Sequence, residues 1–188
     1  MPQLNQREVR FRRLYDTTSV KVFAYAYRRT RIREDAQDAF SQTYVIAWNK
    51  LGSIEQEHEL PWLYRTCRFV IANQHRATRR RSDLADRIGA ELAVKEGTVS
   101  DSVHSIAARD ALRRLDRSEQ EILMLSAWEG LSSSEIARVL GCSPVAARVR
   151  LHRARRSLLL EMSASDIRSD RSAGSMLVPQ IQVTYSKD

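Results

Sequence analysis

Five arginines, Arg148, Arg150, Arg153, Arg155 and Arg156, fall close together in the last quarter of the chain. An arginine can donate two hydrogen bonds to the O6 and N7 of guanine, or neutralise a phosphate. On a helix these five cannot all face one direction, so base edges and phosphates would be shared among them. Ser143 and Pro144 open the stretch, and residues near the start of such a helix reach into the major groove. Arg148 is therefore the first choice for reading bases and Arg150 the second, with Arg153 and Arg155 better placed for phosphates. A solvated basic face is the plainer alternative.

A second group lies in PWLYRTCRFVIANQHRATRRR, residues 61–81. Trp62, Tyr64 and Phe69 alternate with Arg65, Arg68 and Arg76, which suits single-stranded nucleic acid, where rings stack on bases and cations follow the backbone. Core packing competes with that reading, because Trp62, Leu63, Phe69 and Val70 also form an apolar helical stripe. The third group, Glu34, Asp35 and Asp38, is explained by the helix dipole at a helix start or by a protein-docking surface. Other chemistry is poorly supported. Cys67 and Cys142 form no CxxC pair, and His58, His75, His104 and His152 are scattered. No metal site, cofactor or catalytic residue is expected, and the chain does not read as an enzyme.

The elements that must carry these groups are helical. Residues 131–160 read LSSSEIARVLGCSPVAARVRLHRARRSLLL. The pattern is a short amphipathic helix, a Gly141–Ser143 turn and a second helix starting at Pro144, that is, a helix-turn-helix. Gly141 suits the left-handed end of the first helix and Pro144 the first turn of the next. Upstream, helical spacing runs over residues 9–29 and again over 35–50, ended by Gly52, with a polar turn at 51–60. Pro61 is expected to open the third helix. After Arg81 the periodicity weakens, giving a linker over 82–105, and it returns from Ile106. Asp116 or Ser118, the latter with Glu121, supplies a helix cap. MLVPQIQVTY near the end could pair as a short strand.

The fold class is thus all-α: two small helical modules, 8–81 and 106–161, joined by a flexible linker over 82–105 and followed by a tail over 162–188. The net charge of +8 and pI near 10.0 favour a polyanionic partner. Hydrophobic residues make up 43% of the chain, enough for packed cores. No apolar run approaches a membrane span and no signal-peptide core is evident, so a cytoplasmic protein without membrane insertion is expected.

With these residues in place, the chain resembles the extracytoplasmic-function sigma factors of the bacterial sigma-70 family. The family's second region is matched by EDAQDAFSQTYVIAW (34–48) and PWLYRTCRFVIANQHRATRRR. Its fourth is matched by ALRRLDRSEQEILMLSAWEGLSSSEIARVLGCSPVAARVRLHRARRSL (111–158). The resemblance implies a non-enzymatic factor that brings core RNA polymerase to promoters and assists melting. Its helix with Asp35, Asp38 and Gln42 would dock on the β′ clamp helices. Ser53, Ile54 and Glu55 lie in the loop that holds a flipped minus-10 base, while Trp62, Arg65, Arg68, Asn73 and Arg76 would hold the non-template strand. Ser143, Pro144, Arg148, Arg150, Arg153 and Arg155 would meet the minus-35 duplex, with the β flap and an anti-sigma factor as further partners. Ser41-Gln42 stands where the family often has Gln-Glu, Phe69 where Asn is common, and Ala146-Ala147 where Thr-Val is common. A dimeric helix-turn-helix repressor or activator is the alternative.

Overall fold

The computed structural model describes residues 5–86 and 103–174. Their regular elements are seven α-helices and two 3₁₀ turns: α1 (Gln6–Thr30), α2 (Arg33–Lys50), turns at Leu51–Ser53 and Gln56–His58, α3 (Glu59–Asp86), α4 (Val103–Arg114), α5 (Arg117–Ala127), α6 (Ser133–Leu140) and α7 (Pro144–Gly174). They form two compact units. One takes in Met1–Ser100 with Met124–Val149, the other Asp101–Leu123 with Arg150–Asp188.

In the first unit α1, α2 and α3 pack on one another, and α3 also packs on α6. Helix α1 starts at a capping box: Asn5 accepts from the Arg7 N–H while Glu8 accepts from the Asn5 N–H at 3.1 Å. Its apolar stripe buries Leu14, Val22, Tyr25 and Ala26, and α2 answers with Ala36, Ala39, Tyr44 and Ala47. Small residues on α2 let the helices approach while aromatic rings fill the sides. Phe11 meets Trp48 at 5.0 Å and Tyr15 meets Tyr44 at 4.9 Å, both edge-on. Such pairs contribute about 0.5–1.5 kcal/mol beyond area burial. The Tyr44 hydroxyl lies 2.7 Å from Thr18 Oγ1, and burial pushes its pKa up to about 12. In α3, Leu63, Tyr64, Cys67, Val70 and Ile71 are buried.

In the second unit Ala111, Leu115, Ile122, Leu123, Leu151 and Ala154 are buried. Asp116 caps α5, accepting from the Ser118 and Glu119 N–H groups at 2.7 and 2.9 Å. Its bond with the Ser118 hydroxyl, followed by these, holds the carboxyl below its ordinary value. Ser157 donates to Glu119 at 2.8 Å.

Several boundaries differ from the sequence expectation. Helix α2 ends at Lys50, and Leu51 stays right-handed in the 3₁₀ turn, so Gly52 is not the stop. Helix α3 begins at Glu59 rather than Pro61, because a first-turn N–H needs no helical partner and a proline there sacrifices nothing. Asp116, not Ser118, is the α5 cap. The expected linker is helical at both ends, through Asp86 and from Val103, and its middle, 87–102, lies outside the described residues. Helix α7 continues past residue 161 to Gly174. The candidate strand MLVPQIQVTY also lies outside the described residues. Among the described residues no helix is long and apolar enough to cross a membrane.

Candidate nucleic-acid interface

The helix-turn-helix is built by local hydrogen bonds. Ser132 and Glu135 form a capping box on α6, and the Ser132 hydroxyl, then its N–H, hold the Glu135 carboxyl below its ordinary value. Gly141 ends α6 in the left-handed region at φ +69, its N–H returning to the Ala137 carbonyl. Ser143 then caps α7, its side chain accepting from the Ala146 N–H at 3.2 Å and its carbonyl from the Ala147 N–H at 3.0 Å. Ala137 and Ala147 are buried where the two helices meet the turn.

This leaves a defined outer face on α7. Ser143, Pro144, Arg148, Arg150, Arg153 and Arg155 are all exposed. Arg148 lies about 90° round the axis from the buried Ala147, Leu151 and Ala154 side, and Val145 and Val149, 65% and 44% exposed, lie opposite that side. Arg150 sits roughly 200° round the helix from Arg148 at 100° per residue, so the two cannot enter one groove together. The two valines were not singled out in the sequence. Their signal was present, since both fall off the 147–151–154 buried stripe.

On α3, Trp62, Arg65, Phe69, Asn73 and Arg76 share one side within an arc of about 80°. Arg65, Phe69, Asn73 and Arg76 are exposed and Trp62 is half-buried. Arg76 donates to the Asn73 amide oxygen at 2.8 Å, and the Arg65 guanidinium lies 5.8 Å from the Phe69 ring centre. Arg68 is half-buried and lies off this stripe. The aromatic residues divide differently from the sequence expectation. Phe69 is 49% exposed rather than part of a core stripe. Tyr64 is the core ring, stacked on Tyr25 at 4.6 Å and unavailable to a base.

The loop before α3 also separates its three expected residues. Ser53 and Glu55 are exposed, but the Ile54 side chain is only 3% exposed. Ile54 therefore cannot touch a base. It anchors the loop instead, with its carbonyl held by Arg10. A cleft of ≈ 250 Å³ is lined by Ser53, Glu55, His58, Pro61, Trp62, Arg65 and Arg138. Arg13 fixes the start of α3 by donating to Glu59 at 2.9 Å. Sequence reading missed Arg138, which comes from α6 and joins the cleft only through packing.

On α2, Asp35, Asp38 and Gln42 are exposed and lie within about 60° of one another around the axis. Val45, 60% exposed, extends this acidic stripe with an apolar contact that the sequence reading did not name. Among the described residues no group of three or more His, Cys, Asp or Glu side chains could hold a metal ion.

Comparison with known proteins places this arrangement. The family model for sigma-70 region 2 matches residues 14–81, and that for sigma-70 region 4 matches residues 105–158. The RNA polymerase sigma factor YlaC of Bacillus subtilis is 30% identical over 164 residues, covering 81% of this chain and 91% of YlaC. The extracytoplasmic-function (ECF) RNA polymerase sigma factor BldN of Streptomyces coelicolor is 31% identical over 79% of this chain, which spans 58% of BldN's length. The structure of CnrH, from Cupriavidus metallidurans, in complex with the cytosolic domain of CnrY superposes with a TM-score of 0.56 at 27% identity, covering 85% of this chain and 90% of CnrH. The chain, with both regions in sequence order, belongs to the extracytoplasmic-function branch of the sigma-70 family of RNA polymerase sigma factors.

Proposed function

We propose that this chain is the dissociable promoter-specificity subunit of RNA polymerase, and that its exposed faces divide the work. The observation that carries this reading is the pairing of an aromatic and basic stripe on α3 with a helix-turn-helix in one chain. Asp35, Asp38, Gln42 and Val45 on α2 form the surface for the polymerase clamp. Ser53, Glu55, Trp62, Arg65, Phe69, Asn73 and Arg76 receive the non-template strand at minus 10. Rings stack on extruded bases, offsetting the few kcal/mol that unstacking costs. Ser143, Arg148 and the two valines meet the minus-35 duplex, arginine at guanine and valine at thymine methyls. Arg153 and Arg155 take phosphates. Strand opening needs no catalytic group in this chain, because polymerase supplies the chemistry.

CnrH was solved with the cytosolic domain of CnrY, which supports extending an anti-sigma partner to this chain. A dimeric repressor would use α6 and α7 but leave the α2 and α3 faces without a role. The deciding experiment is transcription by purified core polymerase on fragmented host DNA, with and without the chain. Transcripts from defined new start sites are the expected result. Duplex binding as a stable dimer with no added transcripts would overturn it.

A further inference from the structure

Arg7, Arg10 and Arg13 recur every three residues near the start of α1, and each grips the connection between α2 and α3 at a different point. Arg7 donates to the Trp48 carbonyl at 2.7 Å, near the end of α2, and its guanidinium lies 4.6 Å from the Trp48 ring centre. Arg10 donates to the Ile54 carbonyl in the middle of the loop. Arg13 donates to Glu59 at 2.9 Å, where α3 starts. The contact points follow chain order just as the arginines do. All three arginines lie before residue 14, where the match to sigma-70 region 2 begins.

The backbone bonds of the loop itself are local. The Ile54 N–H donates to the Leu51 carbonyl at 3.3 Å and the His58 N–H to the Glu55 carbonyl at 3.0 Å. Between these turns Ile54 and Glu55 are extended, so their side chains point to opposite sides. Ile54 is buried and Glu55 is exposed. The Ile54 carbonyl and the Glu55 nitrogen share one peptide plane, so a donor fixed on that carbonyl also fixes the direction in which Glu55 departs. Arg10 is that donor, and its charge makes the bond stronger than a neutral one. Arg10 Nη2 also lies 4.0 Å from Glu59 Oε1, on a side chain only 11% exposed, so the first turn of α3 steadies the guanidinium.

We propose that this arginine ladder presets the loop for an incoming minus-10 base, with Arg10 as a positioning residue that acts through Ile54 without touching DNA. The role of the loop rests on the function proposed above. A loop ordered before the strand arrives loses less freedom on binding, which raises affinity without adding a contact. Removing Arg10 leaves Glu59 paired with Arg13, so α3 keeps its counter-ion while the plane between Ile54 and Glu55 is released. The loss should therefore fall on the one base that Ser53 and Glu55 receive. The strand held along α3 by Arg65, Phe69, Asn73 and Arg76 should not feel it.

The test is binding of holoenzyme, built from core polymerase and the full chain, to labelled single-stranded DNA. The probe carries the non-template sequence upstream of a start site mapped by transcription, either intact or with one minus-10 base at a time removed to leave an abasic sugar. Arg10→Met, at a side chain 26% exposed, should bind the intact strand about tenfold more weakly, within the range that one stacked base contributes. At one abasic position the wild type and Arg10→Met should bind equally, which a general loss of stability cannot produce. Arg13→Met also takes a partner from Glu59, and any loss it shows should be the same at every position. Arg10→Gln, too short to reach the Ile54 carbonyl, stands in if Arg10→Met does not fold. A folded Arg10 variant that binds the intact strand like the wild type overturns the proposal, and so does a loss spread evenly over all positions. A wild-type holoenzyme that yields no transcripts refutes the sigma-factor reading, whereas one that transcribes without the positional loss refutes only the ladder.

Discussion

At the residue scale, Arg148 and its two exposed valine neighbours carry the most specific chemistry on α7. Arg148→Ala should lose about 1–3 kcal/mol of discrimination between the cognate minus-35 sequence and its guanine-substituted variants. Competition binding of holoenzyme to a promoter library measures this, and equal loss on every sequence would make Arg148 a phosphate contact. The sequence showed the arginines and the turn before them. It did not separate Tyr64 from Phe69, because both have aromatic character and only three-dimensional packing places one against Tyr25 and the other in solvent. Ile54 was hidden for a related reason. A single apolar residue in a polar loop has no periodicity, so its role as the buried anchor emerges only when α1 and α3 close around it.

At the element scale, caps and stripes set the geometry of both faces. The Ser132–Glu135 capping box fixes where α6 begins and so where the turn at Gly141 presents α7. Ser132→Ala should cost about 1 kcal/mol, read as a lower melting midpoint with the helix-turn-helix amides exchanging faster. The Glu135 carboxyl is held below its ordinary value, so this stabilisation is complete above the unfolded carboxylate pKa. It should fade as pH falls through the lower folded value, and a melting series towards acid checks the sign. The α2 stripe behaves differently. Asp38→Ala should leave the melting midpoint nearly unchanged, because the side chain is exposed, yet reduce co-elution with core polymerase. Unchanged co-elution would remove α2 from the docking surface. Helices α1 and α2 were legible from their stripes, and α6 from its stripe and its Gly141 end, whereas the 3₁₀ turn at Leu51–Ser53 and the start of α3 were not. Glycine and proline signal a change of direction without fixing the residue at which it happens.

At the scale of the whole molecule, charge and connectivity govern behaviour. With a net charge of +8, non-specific duplex binding should be dominated by counterion release. With Arg153 and Arg155 of α7 on phosphates, raising salt from about 50 to 200 mM should weaken binding roughly tenfold, which a titration series measures directly. A slope near zero would exclude that many phosphate contacts. The two compact units do not follow the order of the chain, since Met124–Val149 joins the N-terminal helices. No periodicity could have announced that, because the buried Glu129 pairing links residues about a hundred positions apart in sequence. The three tryptophans are distributed among these same places. Trp48 lies under Arg7 and edge-on to Phe11, Trp62 lines the cleft, and Trp128 is 48% exposed beside Glu129. The chain therefore carries its own optical instrument: Trp62 reports whether the cleft is filled, Trp128 stands in solvent next to the buried Glu129 pairing, and Trp48, packed between α1 and α2, serves as a steady reference.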